Sequence, residues 1–372
     1  MTKEKIYFPN LNGLRFIAAF LVIIQHIEVF KSIFKIENYI GKVPFFSVIG
    51  ELGVILFFVL SGFLITYLLL KEELSFKTIS IRKFYLRRIL RIWPLYFLII
   101  ILAFFVLPNL GIFILPGYGK DVIYSDISYK LLLYILFFPN LVLLMYGIVP
   151  YASQTWSIGA EEQYYFVWPI LLKFFKKHRV ILMLLIIFMY LVVTRALLTH
   201  YTDFLPFKGI IKKFWSKFPI QCMAIGGIFA ILLFQKNKFI KFFQNNFLFY
   251  SSIVFVLFLM LSPIYIPFYI EFYSVLFGII ILNFSSNKQI KISLENKVLN
   301  YLGNISYGLY MYHSIAIVLA IVICNSAGIT SNWILYPLSF IFTIIFAGLS
   351  YKYFESFFLK FKNKFSVVLS GS

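Results

Sequence analysis

Arg15 and His26 stand eleven residues apart, at the two ends of a stretch that is otherwise almost wholly apolar. At 100° per residue, eleven residues turn about 1100°, three turns and roughly 20°. On one helix both side chains would therefore project from the same face, about 16 Å apart. A permanent guanidinium cation suits a phosphate-bearing ligand. A neutral imidazole suits proton abstraction. A snorkelling arginine and a histidine hydrogen-bonded between helices would fit the same spacing. Glu28 follows His26 by two residues, which turns it about 200° away. Glu161 and Glu162, after Trp156-Ser157, are better placed as carboxylates. We expect Glu161 to orient the His26 imidazole, as acids commonly do for catalytic histidines. Glu162 reads as a cap and dipole complement at a helix start.

The strongest basic cluster is 82–91, with Arg87, Arg88 and Arg91 close together. Arg87 and Arg91 are i,i+4 neighbours, so the cluster could clamp phosphates bidentately. Most of it is expected to anchor the chain at a membrane surface, leaving one or two residues for a ligand. Tyr307, Tyr310 and His313 recur every three residues and form a polar stripe expected to face the first apolar run. Ser61-Gly62 reads as a small-residue packing site. Other chemistries are missing. There is no G-x-S-x-G elbow, no H-x-x-x-x-D pair, no Walker A and no dinucleotide fingerprint. Cys222 and Cys324 lie far apart in apolar stretches and suggest neither a disulfide nor a metal site.

These residues must be positioned by membrane helices. Of 372 residues, 62% are hydrophobic and 13% charged, whereas soluble domains carry about a quarter charged residues. Apolar runs near twenty residues recur along the chain, as a hydrocarbon core about 30 Å thick demands. We read ten spans in one all-α bundle: 14–34, 48–70, 92–107, 161–177, 180–199, 218–234, 247–262, 268–284, 302–324 and 333–351. The first reads as a retained signal-anchor. Placing the N-terminus in the cytoplasm puts 24 of the 34 Lys and Arg on that side, which sets the orientation. The net charge of +20 thereby points to membrane topology and anionic headgroups, not to nucleic acid. Segment 130–149 is apolar enough to cross, yet counting it would reverse the charge pattern beyond it. It is expected to form a re-entrant or interfacial hairpin broken at Pro139-Asn140. Lys208, Lys212, Lys213 and Lys217 fall on the outer side against the rule and could attract an anionic substrate or lipid.

The chain resembles the acyltransferase-3 family of bacterial membrane acyltransferases. The resemblance rests on Leu11-Asn-Gly-Leu-Arg15 through His26, an R-x10-H signature, and on Phe57-Phe-Val-Leu-Ser61-Gly62-Phe63. It continues with Arg87-Arg-Ile-Leu-Arg91-Ile-Trp-Pro94, Trp156-Ser-Ile-Gly-Ala-Glu161-Glu-Gln-Tyr-Tyr165 and Leu302-Gly-Asn-Ile-Ser306-Tyr307-Gly-Leu-Tyr310-Met-Tyr-His313. The departures are mild: Asn12 stands where the family usually has Asp, and Ser356 follows Glu355 where Pro is common. The resemblance implies a single acyltransferase-3-type transmembrane domain over 1–372, without the esterase-like domain of longer members. It also implies a multi-pass protein of the bacterial cytoplasmic membrane with both termini cytoplasmic.

The resemblance further implies an O-acyltransferase, foremost an O-acetyltransferase. Cytosolic acyl-CoA, chiefly acetyl-CoA, would be the donor, and a hydroxyl of a cell-surface glycan or its lipid-linked precursor the acceptor. No tightly bound cofactor is expected. On this reading Arg15, Arg87, Arg88 and Arg91 hold the donor phosphates. His26 is the general base, steadied by Glu161, with an acyl-histidine relay as the other route. Trp156, Ser157, Tyr307 or His313 would contact substrate or hydrogen-bond the oxyanion. A transporter or flippase of a lipid-linked glycan would use the same buried Arg, His and Glu as a gated pathway, but no inverted repeat is visible.

Overall fold

The structure is a computed structural model that describes residues 5–199, 202–236, 238–262, 268–365 and 369–370. His200 lies outside the described residues. The architecture is all-α, as expected. Extended pairing among the described residues is limited to Lys5–Ile6 with Leu369–Ser370, in parallel, and an isolated antiparallel bridge between Leu115 and Tyr118. The long helices are α1 (Leu11–Ile33), α2 (Pro44–Phe76) and α3 (Ile81–Ile101). Short helices α4 (Lys120–Tyr124), α5 (Ile127–Ile135) and α6 (Pro139–Met145) come next. Then follow α7 (Trp156–Phe174), α8 (Arg179–Leu198), α9 (Lys208–Ser216), α10 (Ile220–Phe234), α11 (Ile240–Phe243) and α12 (Asn246–Leu261). The chain continues through α13 (Tyr269–Ser286), α14 (Lys297–Asn304), α15 (Ser306–Ser326), α16 (Asn332–Ser350) and α17 (Ser356–Phe365).

Each of the ten expected spans coincides with one of these helices. Eight described helical stretches are long and apolar enough to cross a membrane. The other two spans are α7, which carries Glu161 and Glu162, and α12, whose 16 residues reach about 24 Å. The protein is a polytopic helical bundle.

Local chemistry sets several boundaries. Ser80, Asn245 and Asn296 each accept a hydrogen bond from a backbone N–H of the helix they cap. Proline opens α2 and α6, where its missing N–H costs nothing. α7 begins at Trp156, five residues earlier than expected, so Glu161 and Glu162 sit in its second turn. Glu162 is therefore not a cap. Its carboxylate instead accepts from Trp93 Nε1 at 3.0 Å. Segment 130–149 folds as α5 and α6 with a break at Leu136–Phe138, where Phe137 takes a left-handed φ of 59°. The nine and seven residues of these helices extend about 14 and 10 Å, too short to cross singly.

α2 is the packing centre, in contact with α1, α10, α12, α13 and α7. Its approach to α10 requires glycine on both sides. A Cβ at Gly62 would lie 2.0 Å from the Met223 carbonyl oxygen, and one at Gly226 2.1 Å from that of Val59. Small residues that admit backbone contact are the usual means of joining helices in lipid, where no hydrophobic drive exists between them.

Candidate active site

α1, α2, α3, α7, α15 and α17 surround a cavity of about 150 Å³. Four cations converge on it: Arg15 from α1, Arg88 and Arg91 from α3, and Lys362 from α17. Arg15 Nη1 donates to Asn12 Oδ1 at 3.0 Å. The guanidinium of Arg88 lies 5.8 Å from the Phe84 ring centroid and 5.5 Å from that of Tyr165, so the two rings flank it. Its buried Nε has no hydrogen-bond partner among the described residues. A buried, unsatisfied cationic donor is costly unless a ligand completes it. Anionic oxygens are the chemistry that fits.

The basic cluster divides by helix face. Arg87 does not line the cavity. It makes an ion pair with Glu72 of α2 at 2.8 Å and donates to the Phe365 carbonyl at 3.2 Å. The expectation that Arg87 holds the donor is corrected on this geometry, because its donors are engaged in joining α3 to α2 and α17. Sequence reading missed Lys362, which enters from an amphipathic helix whose register against α3 no local pattern reveals.

The cavity wall carries a second polar layer on α2 and α7. Tyr165 donates to Glu161 Oε2 at 2.9 Å, and Ser61 Oγ hydrogen-bonds the Tyr165 hydroxyl. Ser61 is thus part of the cavity wall, while Gly62 beside it does the packing expected of the pair. Glu161 also lies in the field of Arg88 and Arg15.

About one turn back along α7 from Glu161, Ser157 Oγ donates to the Tyr310 hydroxyl at 2.7 Å. Tyr310 in turn donates to the Gln154 carbonyl at 2.8 Å. Gln154 Nε2 is itself tied to Ser314 Oγ at 3.0 Å and to the Tyr151 carbonyl at 2.7 Å. Ser157 and Tyr310 line the cavity.

His26 and His313 are not among the cavity-lining residues. His26 Nδ1 is 2.7 Å from His313 Nε2, and His313 Nδ1 is 2.6 Å from the Tyr310 carbonyl oxygen. His313 is fully buried, whereas His26 is half-buried. Of the polar stripe of α15, His313 therefore meets the first span, whereas Tyr307 bonds to α3 and Tyr310 to the start of α7 and the segment before it. The expected pairing of His26 with Glu161 is not formed: the imidazole meets His313 and the carboxylate meets Tyr165. The helical spacing had placed Arg15 and His26 on one face but carried no information about α15, 287 residues away.

The remaining candidates fall nearby. Tyr307 lines the cavity and donates to the Ile92 carbonyl at 2.8 Å. Trp156 packs edge-on against Phe58, and Lys217 Nζ stands 4.5 Å from its ring centroid. Glu28, judged turned away from His26, is fully buried and paired with Lys31 at 2.7 Å and with the Tyr336 hydroxyl at 2.6 Å. Of the lysines expected on the outer side, Lys208 is bound to Asp203 at 2.6 Å, while Lys212 and Lys213 are exposed. No group of three metal-ligating side chains occurs among the described residues.

A cationic cavity backed by carboxyl and hydroxyl groups, with an imidazole pair beyond it, can bind a polyanion and move a proton. Comparison with known proteins agrees with acyl transfer. The acyltransferase-3 model, described as an acyltransferase domain, matches residues 8–352. Peptidoglycan O-acetyltransferase OatA of Listeria monocytogenes is 28% identical over 171 residues, 46% of this chain and 25% of the relative. Putative peptidoglycan O-acetyltransferase YrhL of Bacillus subtilis is 31% identical over 171 residues, 46% of this chain and 24% of the relative. A putative O-acetyltransferase of Staphylococcus aureus is 29% identical over 182 residues, 46% of this chain and 25% of the relative. The matches thus span about a quarter of the length of these relatives. No solved structure matches the chain. With its arginines, glutamate and imidazoles inside a match that runs nearly end to end, the chain belongs to the acyltransferase-3 family and carries its acyltransferase domain.

Proposed function

We propose that this protein is a membrane O-acetyltransferase that moves an acetyl group from cytosolic acetyl-CoA to a hydroxyl of a cell-envelope glycan or its lipid-linked precursor. The observation that carries the reading is the convergence of Arg15, Arg88, Arg91 and Lys362 on one cavity. Like charges this close in a low-dielectric site call for a polyanionic occupant. A nucleotide-bearing donor supplies phosphates there. The relatives named as peptidoglycan O-acetyltransferases support a glycan acceptor. The charge asymmetry of the sequence supports a cytoplasmic opening at the Arg15 end. Its site is the bacterial cytoplasmic membrane.

In this mechanism the guanidinium groups hold the donor phosphates, charge to charge and bidentately. The thioester advances past Ser157 and Tyr310, and the Ser157 hydroxyl turns from Tyr310 to donate to the developing oxyanion. The acceptor hydroxyl arrives at His26 from the other side of the bilayer. Its oxygen attacks the thioester carbonyl as His26 takes its proton. The carbon–sulfur bond breaks and the leaving thiolate recovers the proton from the imidazolium. Glu161, held against Tyr165, balances part of the positive field around the donor.

The test is transfer in liposomes with radiolabelled acetyl-CoA, following label into acceptor or acetate. Wild-type protein should consume the donor. His26→Ala should lose at least a hundredfold in kcat, the scale of a positioned general base, with an unchanged gel-filtration profile. An active His26→Ala protein would refute the scheme.

A further inference from the structure

We infer that His313 is a positioning residue that fixes the tautomer of His26 and leaves its Nε2 as the basic atom; this rests on the reading of His26 as the base. The argument needs only hydrogen-bond bookkeeping. A carbonyl oxygen accepts and never donates, so the 2.6 Å contact between His313 Nδ1 and Tyr310 O requires the proton on Nδ1. His313 is fully buried. Among the described residues no carboxylate hydrogen-bonds to either imidazole, so the neutral ring is the form that needs no countercharge. A neutral ring protonated at Nδ1 carries a lone pair at Nε2. That nitrogen is 2.7 Å from His26 Nδ1, which must therefore donate. Neutral His26 then has its lone pair on Nε2.

The ring geometry agrees. The two planes differ by 10° and the centroids are 4.8 Å apart. The 2.7 Å nitrogen–nitrogen contact takes up most of that separation. The rings thus lie edge to edge in nearly one plane, the plane that holds both the N–H and the lone pair. Of the two residues, His26 keeps some exposed surface and His313 none. Orienters of catalytic or metal-bound imidazoles are usually a carboxylate or a backbone carbonyl. Here the carbonyl acts through an intervening imidazole, which adds no charge to the membrane interior. When Nε2 of His26 takes a proton, the resulting cation is shared across the same contact.

The test uses the small number of histidines. His178 and His200 are replaced by Asn, leaving two rings to label with ¹⁵N-histidine. Solid-state NMR of the full chain in bilayers should show both rings protonated at Nδ1 and bare at Nε2, the form that free histidine disfavours. In His313→Gln the side-chain oxygen can replace Nε2 as acceptor, so His26 should stay Nδ1-protonated. In His313→Met only a weak thioether acceptor remains, and His26 should shift toward Nε2–H. Activity should follow: His313→Met loses at least a hundredfold in kcat with donor KM within twofold. His313→Gln should recover at least tenfold of that loss. A His26 protonated at Nε2 in the parent protein, or a His313→Met protein with full kcat, would overturn the inference. A folded His313→Gln protein no better than His313→Met would overturn it as well. Activity of His26→Ala would sink the base reading alone, because the NMR result does not depend on turnover.

Discussion

Arg87 and Arg88 are adjacent in sequence and opposite in use. A step of 100° around α3 turns one guanidinium onto Glu72 and the other into the cavity. The difference predicts opposite phenotypes. Arg88→Ala should raise the KM for acetyl-CoA about ten- to a hundredfold, the cost of one charge-assisted contact of 1.5–3 kcal/mol. It should leave the KM for acetyl-pantetheine, which has no nucleotide, unchanged. Arg87→Ala leaves the Glu72 carboxylate buried and unpaired, which costs about 3 kcal/mol. It should lower the thermal unfolding temperature in detergent while the KM of the surviving protein stays put. If Arg87→Ala proved the KM variant, the division of the cluster by helix face would be wrong. The sequence made this cluster legible as basic and helical. It could not say which residue is satisfied, because that depends on where α2 places Glu72.

Helix positions followed from apolar runs and the bias of Lys and Arg, because both signals are local and strong in a membrane chain. Where elements meet depends on distant partners. The break before α6 was visible in Pro139, yet the earlier start of α7 was not, since Trp156 and Ser157 mark no sharp boundary. The α2–α10 contact was legible only as a glycine beside a serine. Its force comes from Met223, whose carbonyl occupies the space a side chain at 62 would need. Gly62→Val should destabilise the bundle by about 3 kcal/mol or more, at the upper end for overpacking, and yield aggregated protein on extraction. Gly111→Val, with open space around its Cβ, is the matched control. Outside the spans, Glu295 fastens the N-terminal segment to the approach of α14. It accepts from Tyr7, from the Asn10 N–H and from Asn300 Nδ2, the last at 3.1 Å. Partial burial raises its pKa, but these hydrogen bonds outweigh burial and hold it below the ordinary glutamate value. A depressed folded-state pKa contributes stability that is complete above the unfolded value and disappears as pH falls through the folded one. Glu295→Gln should therefore lower the unfolding temperature at neutral pH, and the gap to wild type should close in acid below the carboxylate range. A gap independent of pH would assign the effect to shape alone.

Over the whole molecule, the cation-lined cavity and the imidazole pair follow one another along α1 and α15, with Tyr310 between them. Tyr310 lines the first and passes its carbonyl to the second. His313 lies three residues further on, about 4.5 Å along the helix axis. Two substrates arriving from opposite faces would need a division between them, because a continuous channel would leak ions and protons across the bilayer. If the Arg15 end opens to the cytoplasm, Ser61, which lines the cavity, reports from that side only. Cys222 and Cys324 are buried and can be replaced by Ala to give a silent background. In that background Ser61→Cys should react with a membrane-impermeant thiol reagent in inside-out vesicles and resist it in right-side-out ones. Acetyl-CoA should slow the labelling in proportion to occupancy, whereas acetyl-pantetheine, which lacks the phosphates the arginines hold, should protect only at far higher concentration. Labelling of right-side-out vesicles alone would invert the orientation and, with it, the side from which the donor comes.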